Sequence, residues 1–513
     1  MNLRQLVGQM LMPGFSANFN NESHETFKRV KRLVQKFSAG GFVIFQGSLV
    51  NYQWVTRKLQ GMTGIPLLFA ADFERGLAMR IEGMTQFPHN MALGSVNDIN
   101  LARKFARIVA REGLEIGVHQ NYAPVLDLQE VNDNPIVNIR SFSREPAIVS
   151  HMGKAFVDGY RKERAIATAK HFPGHGATDT DSHRDIPVIA KSTEKIFSED
   201  LLPFINAIRA GVHSVMVGHL VVPALDPSNL PATLSPRIVT GVLRDELKFD
   251  GLIVTDAMNM QAICNYHSIK EATIMTVKAG TDIVLVSGDD EISFNSLYEA
   301  VRSGEISLSR IKESVIRILS AKHWLGLYQM KTAKKDIAGT VNSREAERIS
   351  EEIASRALKI KNTSVSLTLP ESGKMGCIGI SDKVEGQQEI YFHELINNHF
   401  NSDFNFVVNN RWHLSEFERV RQEIDNSATL ILPVFLRIRS YQGKLKLTAL
   451  QQAVIEYVIN SGKNYIIIAF GDPYYLSGIK GIKNLVLTYS DSYYSQNAVI
   501  NFLKGKLSIQ EIK

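Results

Sequence analysis

Residues 165–187 read AIATAKHFPGHGATDTDSHRDIP. An apolar run that ends in Lys170 and His171 and opens into a loop dense in ionisable groups is the pattern of a buried parallel strand carrying chemistry at its C-terminal end. The pattern recurs on both sides. Short apolar runs fall at Met10–Phe15, Gly41–Phe45, Pro66–Asp72, His119–Asp127, Ser214–Leu220, Gly251–Ala257 and Asp282–Ser287. Helical patterns with apolar residues three or four apart lie between them, at Glu22–Phe37, Leu101–Glu115, Ser150–Arg164 and Pro236–Leu247. Eight such βα units in about 330 residues predict a decorated (β/α)8 barrel.

A barrel places its chemistry where the strands end. Asp72, Asp127, Lys170, His171, His219 and Asp256 each close or follow an apolar run, and are not scattered through the helices. An open doubly wound sheet also gathers ligands at strand ends, so this observation supports an α/β class, and the strand count favours closure.

After Trp324 the texture changes to KTAKKDIAGTVNSRE, a polar stretch leading into a helical pattern at Glu345–Leu358. The runs SVSLTLP, GCIGIS, FNFVVN, TLILPVF, NYIIIAFG and NLVLTY follow, with a helical segment at Thr448–Ile459. They predict a smaller C-terminal α/β domain with an open, mostly parallel sheet. The expected division is a catalytic barrel over 1–335 and the α/β domain over 336–513. No glycine fingerprint follows the first strand of the second domain, so it is assigned no nucleotide. Its loops carry Arg437, Arg439 and Tyr441, which could reach a substrate or be ordinary surface.

Composition narrows the class. The 513 residues are 44% apolar and 21% charged, which excludes disorder, collagen and small disulfide scaffolds and fits two to four domains. The net charge of +6 is spread thinly, with no basic stripe of the kind a nucleic-acid partner requires. Cys264 and Cys377 lack a partner motif, which suits a reducing compartment. The N-terminus has no secretory h-region and no apolar run spans a membrane, so the expectation for a complete chain is a cytoplasmic protein.

Three constellations could carry chemistry. In 170–187, His171, His175 and His183 occur with Asp179, Asp181 and Asp185 within fifteen residues, beside Pro173, Gly174 and Gly176. A helical zinc motif is disfavoured because Pro173 and Gly174 separate His171 from His175. Loop histidines can still ligate a metal or simply cap neighbouring backbone. The third possibility is acid/base work, in which Asp181 fixes the tautomer of His183 and leaves the other ring nitrogen for proton transfer. In GLIVTDAMNM, Asp256 ends a strand, as a nucleophile held ionised by nearby cations or as a helix cap. In AADFERGLAMR and NPIVNIRSF, the residues Asp72, Arg80 and Arg140 could bind vicinal hydroxyls and an amide, or pair with one another.

Taken together, these residues resemble the N-acetyl-β-glucosaminidase branch of glycoside hydrolase family 3. The branch signature KHFPGHG-x-T-x-x-DSH-x-x-P matches Lys170, His171, Phe172, Pro173, Gly174, His175, Gly176, Thr178, Asp181, Ser182, His183 and Pro187. The likeness continues through QMLMPGF, PVLD, RSF and TDAMNM, and into RSYQGKLKLTALQQAVIEYV and AFGDPYYL, and so covers nearly the whole chain. It implies a retaining exo-β-N-acetylglucosaminidase with Asp256 as nucleophile and His183 as general acid/base oriented by Asp181. Asp72, Arg80, Arg140, Lys170 and His171 would bind the terminal GlcNAc, with Asp127 and then His219 as weaker candidates. It also implies no metal or other cofactor, no nucleic-acid or membrane partner, and a role on peptidoglycan-derived fragments in cell-wall recycling.

Retaining enzymes usually use two carboxyl groups. A histidine in the second role leaves a neutral base that does not repel an anionic acceptor, so β-N-acetylglucosaminide phosphorolysis is an alternative. A non-catalytic saccharide-binding barrel and a metal-dependent hydrolase using His171, His175 and His183 are the others. Two positions depart from the family pattern. Arg75 stands where many relatives have glycine and Ala177 where aspartate is common, which bears on the leaving group more than on the reaction.

Overall fold

The computed structural model describes residues 1–132, 134–178, 185–286, 288–329, 340–361, 374–382, 386–437, 446–508 and 510–512. The chain divides into two units. The first comprises Met1–Thr85, Asp98–Val137 and Ser141–Ala346; the second comprises Gln86–Asn97, Asn138–Arg140 and Glu347–Lys513.

The first unit is a closed parallel barrel. Its strands are β1 (Leu11–Met12), β2 (Gly14–Ala17), β3 (Gly41–Gly47), β4 (Leu68–Ala71), β5 (Gln120–Asn121), β6 (Ile166–Phe172), β7 (Ser214–Val217), β8 (Leu252–Thr255) and β9 (Val284–Leu285). Each of the eight apolar runs contains one strand position, β1 and β2 being a single run interrupted at Pro13. Strands β2 to β8 pair in sequence order. The ring closes where Val254 bridges to Ile283 and where Leu11 pairs with Val284. The strands are buried because helices cover the outside and side chains fill the inside, so they read as continuous apolar runs without alternation.

The helices begin where the sequence supplies caps. Ser268 with Glu271 forms a reciprocal capping box ahead of Ile269–Ala279, and Asp289 caps Asp290–Arg302. The segment Arg237–Glu246, expected as an α-helix, is a π-helix.

At the N-terminal ends of the strands, opposite the ionisable rim, Lys322 is fully buried. Among the described residues its ammonium makes one hydrogen bond, to Gln9 Oε1 at 2.6 Å, and no carboxylate faces it. Burial pushes its pKa down to about 7. The unfolded chain therefore binds the extra proton between pH 7 and 10.5, so this group costs stability at neutral pH and the cost fades as pH rises. Lys322→Met is expected to stabilise the protein by ~1–4 kcal/mol at pH 7, with a smaller gain at pH 9.5. Denaturant titrations at the two pH values test this, and an equal gain at both would refute it.

The second unit is built on a seven-stranded mixed sheet in the order β12-β11-β13-β14-β15-β10-β16. The strands are β10 (Lys359–Lys361), β11 (Met375–Ser381), β12 (Phe404–Val408), β13 (Thr429–Leu436), β14 (Asn464–Gly471), β15 (Leu485–Leu487) and β16 (Gln510–Ile512). Alternation sorts the side chains. Ile378, Leu430, Leu432 and Ile467 enter one core, and Cys377, Ile431, Ile466 and Ile468 enter the other. Among the described residues the β10–β15 pairing is antiparallel and the other pairings of this sheet are parallel. The expected strand SVSLTLP lies outside the described residues. Among the described residues no helix is long and apolar enough to cross a membrane.

Candidate active site

Strand β6 supplies Lys170 and His171, both buried at its C-terminal end. The Lys170 ammonium lies 2.9 Å from Asp72 Oδ1 and 2.8 Å from Glu74 Oε1. Asp72 directly follows β4, and its other oxygen takes the Arg80 guanidinium at 2.7 Å. Burial pushes the Asp72 carboxyl up, but Lys170 and Arg80 outweigh burial and hold it below the ordinary carboxylate range. Asp72, Arg80 and Lys170 thus form one cluster at the C-terminal ends of β4 and β6, which β5 separates.

Asp127 anchors the following loop. Its Oδ1 accepts from the backbone N–H of His171 at 3.1 Å and of His175 at 2.7 Å, while Oδ2 lies 2.6 Å from His171 Nδ1. One carboxylate therefore fixes the imidazole edge of His171 and leaves Nε2 for another partner. His175 turns its Nδ1 to Thr178 Oγ1 at 2.7 Å, and burial lowers its pKa to about 4, so it is a neutral structural ring. Gly176 is required by close approach, since a Cβ there would stand 2.1 Å from the Leu128 carbonyl oxygen.

Asp256 follows β8. Its backbone N–H bonds to the Val217 carbonyl at 2.9 Å, and its Oδ1 accepts from the Ala257 N–H at 2.7 Å. Burial pushes this carboxyl up, but His171 and His219, the Ala257 N–H and Lys170 outweigh burial and hold its pKa at about 2. His219, buried after β7, donates Nε2–H to the Ala257 carbonyl at 3.0 Å and so holds the peptide that follows the Asp256–Ala257 pair. Tyr122, buried on the β5 side, lies close enough for the charges of Asp72 and Asp256 to push its hydroxyl pKa further up.

Beside the Asp256 loop runs a groove of about 800 Å³ lined by Gly14, Asn259, Val286 and Gly288. Its charged residues pair with one another, Arg29 with Asp290 at 2.5 Å and Arg32 with Glu291 at 2.7 Å.

Of the residues singled out in the sequence, the barrel brings together Asp72, Arg80, Lys170, His171, Asp127, His219 and Asp256. Arg140 belongs to the second unit, in the turn Asn138–Arg140, where its carbonyl accepts from Asn90 Nδ2 at 2.8 Å. Asp181 and His183 lie outside the described residues, as do Arg439 and Tyr441. Arg437 is buried in an ion-pair network, 2.9 Å from Glu389 and paired also with Asp491. Sequence reasoning missed Glu74 and Tyr122, and took Thr178 only as a signature position. Glu74 carried a signal, as a carboxylate three residues beyond a strand end; the tyrosine carried none.

A closed (β/α)8 barrel with carboxylates and cations gathered on its C-terminal rim defines an enzyme-type polar pocket on a rigid scaffold. The glycosyl hydrolase family 3 N-terminal domain matches residues 2–321, and the chain belongs to that family. It is 32% identical over 372 residues to the beta-hexosaminidase A of Pseudoalteromonas piscicida, across 66% of this chain and 62% of that protein. It is 33% identical over 262 residues to a beta-hexosaminidase of Nitrosomonas eutropha, across 49% of this chain and 74% of that protein. A solved family 3 beta-N-acetylglucosaminidase from Paenibacillus sp. FPU-7 superposes with a TM-score of 0.89 at 27% identity, over 99% of this chain and 98% of the other.

Proposed function

We propose that the protein is a retaining exo-β-N-acetylglucosaminidase acting on terminal β-linked GlcNAc, including that of peptidoglycan-derived fragments. The observation that carries this reading is Asp256, a carboxylate on the barrel rim held ionised at about pKa 2 beside Lys170 and His171. The family and the names of the relatives support the same class.

In this reading Asp72, Arg80, Lys170 and His171 hold the hydroxyls and N-acetyl group of the sugar. An Asp256 oxygen attacks the anomeric carbon while the glycosidic oxygen takes a proton from the His183 imidazolium, and the aglycone leaves as an alcohol. Neutral His183, oriented by Asp181, then takes a proton from water. The water oxygen bonds to the anomeric carbon and Asp256 departs, restoring its carboxylate and the original anomeric configuration. The low pKa of Asp256 makes it a good leaving group in this second step.

The test is turnover of an aryl β-GlcNAc, with the anomer of the first-formed product read by NMR. Retention of configuration supports the reading; inversion or no turnover sinks it. Parallel reactions in phosphate and in chelator separate the rivals: GlcNAc-1-phosphate as product identifies a phosphorylase, and chelator inhibition a metal-dependent enzyme. His183→Ala is expected to slow glycosides with poor leaving groups by about 10²–10⁴-fold and dinitrophenyl glycosides much less, because only the former need the proton. Equal loss on both would remove His183 from the acid role.

A further inference from the structure

A second charged cluster lies beneath the loop that follows β6, and the mechanism above does not use it. The Lys191 ammonium contacts three carboxylates: Glu130 at 2.6 Å, Asp200 at 2.7 Å and Glu199 at 3.1 Å. Asp200 is 2% exposed. It is turned inward by the π-helical turn Ile196–Asp200, whose following helix, Leu202–Arg209, packs Phe204 edge-on against Phe172 of β6 at 5.4 Å. Its Oδ2 takes Lys191, and its Oδ1 has no hydrogen-bond partner among the described residues. Gly174 lies against it with φ +126°, and a Cβ there would stand 3.0 Å from Asp200 Cβ and 3.4 Å from its Oδ1, a tight fit. On either side of Gly174, the amides of His171 and His175 are bonded to Asp127. Glu130 stands three residues beyond Asp127, so the cluster ties together both segments that carry the loop.

We infer that Asp200, clamped between Lys191 and Glu130, is a positioning residue whose carboxyl group seats Gly174 and thereby holds the Lys170–Thr178 segment in register with Asp256. Among the described residues, the charged groups facing Asp200 are Lys191, Glu130 and, on its own turn, Glu199. One ammonium against three carboxylates leaves a surplus of negative charge, and the neutral form of Asp200 relieves it. Burial and Glu130 accordingly raise its pKa to about 7. Ionisation above that value adds a charge against Glu130 on a carboxyl with one oxygen unpartnered, and the seat loosens.

The inference rests on the reading of Lys170 and His171 as sugar-binding residues, and two measurements separate it from that reading. Hydrogen exchange of the Lys170–Thr178 peptide, corrected for the intrinsic rate, is followed from pH 6 to 8.5 in wild type, Asp200→Asn and Asp200→Ala. Wild-type protection is expected to fall about tenfold with a midpoint near pH 7, the Asn variant to stay protected throughout, and the Ala variant to exchange fast at every pH. In parallel, kcat/KM on an aryl β-GlcNAc should decline across the same midpoint in wild type and run flat in the Asn variant.

Identical pH dependence in wild type and Asn variant overturns the inference, as does an exchange change with no counterpart in the kinetic profile. A wild type that cleaves no β-GlcNAc glycoside overturns the functional reading and the kinetic half of this one, while exchange still decides the seat.

Discussion

Asp256→Asn is expected to lower turnover of an aryl β-GlcNAc by at least about 10⁴-fold. The amide keeps the volume of the carboxylate but cannot form the glycosyl ester, and it removes the negative charge that stabilises a developing oxocarbenium ion. The Ala257 N–H bond to Oδ1 can be kept by the amide oxygen, so folding should change little and the loss will be chemical. Single-turnover kinetics with circular dichroism as a control decides the point; a variant within tenfold of wild type would end the nucleophile assignment. The direction of the pKa shift adds a pH statement. With its folded value near 2, Asp256 stays ionised above about pH 3, so an acid limb near pH 4 would belong to another group. Because that value is lowered on folding, the stability this group contributes is present above pH 3.8 and is lost as pH falls through 2.

Lys170→Met should be the most damaging substitution for stability on the rim. The ammonium is nearly enclosed and serves both Asp72 and Glu74. Its removal leaves Asp72, among the described residues, with Arg80 and takes an ammonium contact from buried Glu74, a change that costs about 3–5 kcal/mol. The carboxyls lose the cation that favours their charged forms, so the deficit should be full at pH 7 and shrink as the pH falls toward 4.5. Urea denaturation at the two pH values reads this directly. An equal deficit at both would mean that Lys170 acts through packing alone. Activity should fall with it, since Lys170 also helps to hold Asp256 ionised.

The sequence announced the rim because ionisable residues are rare at the ends of apolar runs. Asp72, Lys170, His171 and Asp256 stood out for that reason, and the spacing of the runs carried the strand count. Closure was harder to read: it depends on Leu11 meeting Val284, and no local pattern encodes a pairing between the ends of a 300-residue stretch. Tyr122 was hidden for a different reason, since an aromatic beside a strand is ordinary core until its distance from two carboxylates is known. Lys191 and Asp200 were not singled out, and the π-helical turn that carries Asp200 inward left no mark in the residue pattern.

The second unit recruits two short pieces from within the run of barrel strands, Gln86–Asn97 and Asn138–Arg140. There His89 Nδ1 meets Ser490 Oγ at 3.0 Å, Gln86 accepts from the Tyr493 N–H at 3.1 Å, and Asn138 bonds to Asp472. Phe87, Met91 and Ile139 from these pieces are buried. The barrel is therefore not a cassette. A gene fragment ending near residue 335 would encode every strand of it and yet expose these apolar side chains and orphan their polar partners. Shuffling the C-terminal region between relatives would succeed only where both pieces travel with it, so the two halves of this chain are bound to diverge together.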